Sequence, residues 1–106
     1  MIPNGTWTSE VRGSDLVTAL AGELDVANCD EIFERLKVEI ADVPTRRVVL
    51  DLSGVTFLDS SGIRMLLRAK GAAEDVGSTL VVRAPRPQAL RVLEVSGLDG
   101  HLTLEP

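Results

Sequence analysis

The chain has 106 residues, a formal charge of −5 and 44% hydrophobic but only 3% aromatic residues, which suits one domain, residues 1–106, with a core of Leu, Val, Ile and Ala. An acidic chain without a basic run is a poor nucleic-acid binder, because neutralising phosphates takes clustered Lys and Arg. A lone Cys29 and a single histidine exclude an internal disulfide and a zinc set, and no apolar run approaches the ~20 residues of a membrane span.

Thr6 to Arg12 alternates around Trp7, Ser9 and Val11 as a half-exposed edge strand does. Gly13-Ser14-Asp15 is a turn, and Leu16 to Ala21 completes an antiparallel hairpin. Gly22-Glu-Leu-Asp25 then leaves the sheet. A helix is predicted over Ala27 to Ala41, with Cys29, Ile32, Phe33, Leu36 and Ile40 at helical spacing. Asp25 or Asn28 is placed to cap it, and Asp42-Val-Pro44 to end it. Val48 to Leu52 reads as a central strand buried on both faces.

The second helix is expected over Ser61 to Val76, with a stripe of Ile63, Leu66, Leu67, Ala73 and Val76, and with Gly77 in the left-handed conformation past its end. Thr79 to Arg83 is a third apolar strand. Pro85-Arg-Pro-Gln88 opens a third helix with Leu90 and Leu93 inward, and Leu102 to Leu104 adds an edge strand. Strands alternating with helices predict an α/β fold: a four- to five-stranded mixed sheet with an antiparallel N-terminal hairpin and about three main helices. Met1 to Gly5 shows neither the basic nor the apolar region of a signal peptide. With the cysteine usage, this fits a cytoplasmic protein.

In open α/β sheets, sites lie beyond the carboxyl ends of parallel strands. Here those ends carry Asp25 and the block Asp59-Ser60-Ser61-Gly62. A serine nucleophile needs a general base, and the single histidine, His101, stands near the chain end. The block has no glycine two before its serine, as a nucleophile elbow requires, and no phosphate-binding glycine loop is present. Asp25 and Asp59 as a magnesium site is weaker than both as caps. No catalytic residue, metal or cofactor is therefore expected. An N-cap role accounts for one of the two serines.

Gly22-Glu-Leu-Asp25, Asp51-Leu-Ser-Gly-Val-Thr-Phe-Leu-Asp-Ser-Ser-Gly-Ile63 and Val95-Ser-Gly-Leu98 together resemble the STAS domain, most closely the bacterial anti-sigma factor antagonists. The match runs over nearly the whole chain in the right order. The resemblance implies a small α/β switch that binds an anti-sigma factor, itself a serine kinase, and so frees a sigma factor. It implies phosphorylation of Ser60 by that kinase and its reversal by a phosphoserine phosphatase. It places Asp25, Asp59, Ser60, Ser61 and Gly62 on the partner-facing surface, with Arg64 beside them. Phosphate oxygens at Ser60 would be received by the N–H groups of Gly62 or Ile63. Arg64 departs from the small residue many members carry. It is read as a partner for the phosphate or for an acidic partner residue, or equally as a solvated helix residue. The runner-up is a STAS subunit of a phospholipid-transport or stressosome-like assembly, with this edge as a structural interface.

Overall fold

The computed structural model describes residues 5–42 and 45–106, with backbone only for 5 and 6. Val43 and Pro44, expected to end the first helix, and Met1 to Asn4 lie outside the described residues. The elements run β1 (Gly5–Arg12), β2 (Asp15–Leu24), α1 (Cys29–Asp42), β3 (Arg47–Leu58), α2 (Ser60–Asp75), β4 (Thr79–Arg83), α3 (Pro87–Val95) and β5 (Thr103–Glu105). Strands lie in the order β1-β2-β3-β4-β5. β1 and β2 are antiparallel, and every later pair is parallel.

That order fixes where the helices go. Parallel crossovers are right-handed, and here each moves one strand further in the same direction. All three helices therefore land on one face. Leu16, Leu20, Val48, Leu50, Leu52, Leu80 and Val82 point into that layer and form one core with Ile32, Leu36, Leu66, Ala69, Ala89 and Leu93. The opposite face carries no helix among the described residues. Asp15, Arg47, Arg83 and Glu105 lie across it in an ion-pair row, with Val49 and Val81 buried between them. So Val48 to Leu50 is buried on both faces, as its composition predicts, but only one of those faces is covered by helices.

The expected ends of β2 and β3 are corrected. β2 does not leave the sheet at Gly22, and β3 does not stop at Leu52. The register pairs Ala19 with Asp51 but Ala21 with Gly54, and Gly22 with Val55 but Glu23 with Phe57. β3 thus holds two extra residues against β2, and each bulge reverses which side chains face inward. That is why Leu52, Val55 and Leu58 are all buried although they break strict alternation. Asp51 Oδ1 accepts the Ser53 N–H at 2.9 Å beside the first bulge. Gly54 is needed there, because a Cβ would stand 2.9 Å from Ala21 Cβ.

The first helix buries the five residues its spacing marks. The edge strand is tied to it by Glu39, which accepts from Trp7 Nε1 at 3.3 Å and Ser9 Oγ at 2.7 Å. The second helix is phased differently from its expected stripe. Met65 and Ala69 are buried, whereas Leu67 is 37% and Val76 50% exposed. Helix α2 touches both the sheet and α1, so its buried arc is wider than a stripe facing one neighbour. Gly77 takes the expected positive φ of 78°. In α3, Pro87 is in the first turn; Leu93 is buried as expected, Leu90 only half-buried, and Ala89 takes the other buried place.

Candidate functional site

Leu24 and Leu58, the last residues of neighbouring strands β2 and β3, are register partners. The chain leaves both at the same sheet edge, so Asp25 and Asp59 emerge side by side there. The Asp59 N–H donates back to Leu24 O at 3.3 Å, joining the two exits. On one side, Asp25 Oδ1 accepts the Ala27 N–H at 2.9 Å and its carbonyl accepts from Asn28 and Cys29. Asn28 is fully buried, accepts the Asp25 N–H through Oδ1 at 3.1 Å and donates through Nδ2 to Glu23 O at 2.6 Å. It works backwards and holds the end of β2 in shape.

On the other side, Asp59 is the N-cap of α2. Its Oδ1 accepts from Ser61 N at 2.8 Å and Gly62 N at 3.2 Å, and its carbonyl receives the Ile63 N–H at 3.1 Å. Two expectations are corrected by this. Neither serine is the cap, because the chain leaves β3 one residue earlier and Asp59 reaches the donors first. The N–H groups of Gly62 and Ile63 are also already taken, so they are not free to receive a phosphate. Ser60 is exposed, Ser61 half-buried. Among the described residues the Ser60 hydroxyl makes no hydrogen bond, and it has no structural task.

Gly62 does clear space at the helix start. A Cβ there would overlap Leu58 Cδ1, stand 2.9 Å from Leu58 Cγ and 3.2 Å from Leu24 O. Ser61, Arg64 and Arg68 line a small cleft between α2 and the start of α1, together with Val26, Cys29 and Asp30. Arg68 is engaged on its far side, with its guanidinium 4.0 Å from the Phe33 ring and 3.4 Å from Asp30. Burial, with the carboxylates of Asp59, Asp25 and Asp30 acting in the same direction, pushes the Cys29 thiol up to about 11. The thiol is therefore a core group, and its environment records the negative charge gathered at this edge.

Two contributions had no sequence signal. Gln88, at the start of α3, binds both backbone groups of Leu58. Val26, 81% exposed, and Phe57, 42% exposed, stand on the two exits, and Leu67 lies on the open face of α2. Their pairing with the site depends on strand neighbours that local periodicity does not reveal.

Among the described residues, His101 and Ser60 are not brought together as a catalytic pair. His101 precedes β5, so it lies toward the amino ends of the parallel strands, whereas Ser60 follows the carboxyl end of β3. The visible carboxylate contacts of Asp25 and Asp59 are caps to backbone N–H groups. Among the described residues the edge presents the exposed hydroxyl of Ser60, the cation of Arg64 without an ion pair, and the apolar side chains of Val26, Phe57 and Leu67.

Comparison with known proteins agrees with this outline. The family model described as "Mlab, STAS domain" matches residues 7–105. The chain belongs to the STAS family. It is 30% identical over 83 residues to the anti-sigma F factor antagonist of Paenibacillus polymyxa, covering 78% of this chain and 71% of that one. The crystal structure of an anti-sigma factor antagonist from Mycobacterium paratuberculosis superposes with a TM-score of 0.84 at 29% identity, covering 98% of this chain and 88% of that one. The phosphorylated form of the Bacillus cell fate determinant SpoIIAA shares the fold, with a TM-score of 0.71 at 24% identity, covering 95% and 91%. Within the STAS family, the chain groups with the anti-sigma factor antagonists.

Proposed function

We propose that the unphosphorylated chain binds an anti-sigma factor that is also a serine kinase and thereby frees a sigma factor. Phosphorylation of Ser60 switches that binding off, and a phosphoserine phosphatase restores it. The chain does no chemistry itself; the kinase supplies ATP and magnesium. The observation that carries this reading is the idle, exposed hydroxyl of Ser60 beside a helix start already completed by Asp59. It is open to a kinase, and modifying it removes no contact from the fold. The existence of a phosphorylated form of SpoIIAA, a fold neighbour, supports the same reading.

Asp25, Asp59, Ser60, Ser61, Gly62 and Arg64 form the proposed docking edge, flanked by Val26, Phe57 and Leu67. A phosphate adds about −1.5 to −2 charges next to Asp25, Asp30 and Asp59, so it alters the interface more than the fold. The test is incubation with ATP and a candidate anti-sigma kinase, followed by mass spectrometry. Phosphate on Ser60 supports the proposal. Stable assembly with a transporter ATPase and no phosphate would instead make the chain a structural subunit, and ester turnover by the chain alone would make it an enzyme.

A further inference from the structure

The capping geometry leaves a phosphate on Ser60 without the donors a helix start usually provides. Asp59 occupies the N–H groups of Ser61, Gly62 and Ile63, and it adds a carboxylate of its own. A counter-charge must come from a side chain. Successive α-helical residues are about 100° apart, so Arg64 stands one turn beyond Ser60 and about 40° around the axis. Helical side chains lean toward the N-terminus, so the first turn is within reach of the Arg64 guanidinium. Arg64 is exposed and makes no ion pair among the described residues, whereas Arg68 is held by Asp30 and Phe33. Resting on Ser60 as the phosphoacceptor, we propose that Arg64 holds the phosphate in an internal phosphoserine–arginine pair. Phosphorylation then does two things at the docking edge: it adds negative charge, and it withdraws the cation of Arg64, which has no ion pair among the described residues.

Arginine pairs with phosphate through two parallel N–H donors, a stronger contact than a neutral hydrogen bond. The carboxylates gathered at this edge are Asp59 from the cap, Asp25 from the end of β2 and Asp30 from α1, and among the described residues Arg68 is the other cation lining the cleft beside Arg64. The test is phosphorus NMR on the full chain with phosphoserine genetically encoded at position 60. The second phosphate ionisation is expected roughly 0.3–0.7 pH unit lower in the parent than in Arg64→Gln, with the gap closing in high salt. Arg64→Lys is expected to retain part of the shift. Coincident curves for the parent and Arg64→Gln would overturn the pairing, as would a shift that follows Arg68→Gln instead. Because the phosphate is installed without a kinase, this result stands apart from the kinase assay, in which an unmodified Ser60 would overturn the functional reading.

Discussion

Gln88 holds the backbone of Leu58 through both of its amide atoms: Oε1 accepts the Leu58 N–H and Nε2 donates to Leu58 O, each at 3.0 Å. The side chain of one helix start thereby fixes the strand end from which the other helix start springs. Gln88→Ala removes both contacts and leaves two backbone groups short of partners. It is expected to cost about 1–3 kcal/mol, read as a lower urea midpoint at unchanged slope. Amide exchange at Leu58 and Asp59 should accelerate. An unchanged midpoint and exchange would show that β3 and β2 hold this exit without α3.

Gly62→Ala tests the close approach at the helix start. Alanine favours a helix interior by ~1 kcal/mol over glycine, so propensity alone predicts a more stable protein. The added methyl meets Leu58, which is fully buried, and the Leu24 carbonyl, so neither yields freely. Overpacking of this kind costs typically 1–3 kcal/mol, and we expect net destabilisation in thermal unfolding. A raised melting temperature would mean that Leu58 can move aside.

The ion-pair row on the open sheet face predicts an acid limb. The hydrogen bond to Arg47 Nη2 at 2.9 Å holds the Asp15 carboxyl below its usual 3.8. The hydrogen bond from Arg83 Nε at 2.7 Å holds Glu105 below its usual 4.5. Both folded values are depressed, so the unfolded chain binds more protons as the medium turns acid. The stabilisation is complete above about pH 5 and is lost as pH falls through the folded values. Asp15→Asn with Glu105→Gln should flatten the stability profile between about pH 5 and 3, measured by urea unfolding. The same acid slope in parent and variant would assign acid sensitivity elsewhere.

Much of this architecture was legible in the sequence, and the misses have physical causes. Helix α1 buries the five residues its spacing marks, so its periodicity alone places its inner face. The stripe of α2 was misplaced at Leu67 and Val76 because that helix meets two surfaces at once. Ser53 and Gly54 look like a loop in isolation, yet they lie within β3 because bulges absorb residues without ending the pairing. In Asp59-Ser60-Ser61, three successive residues are competent caps, and only the point where the strand releases the chain decides among them. Asp59 won, which frees Ser60 rather than assigning it to the helix. Gln88 joins Leu58 from 30 residues away, and nothing in its neighbours marks it.

The central claim is that phosphate on Ser60 controls docking without unfolding the chain. The most direct measurement is the affinity of the unmodified and Ser60-phosphorylated chains for the anti-sigma factor, by titration calorimetry with melting curves on the same samples. The account predicts at least tenfold weaker binding on phosphorylation, about 1.4 kcal/mol, with the fold and melting temperature retained. Equal affinity for both forms, or weakened binding only where the phosphorylated chain has unfolded, would contradict it.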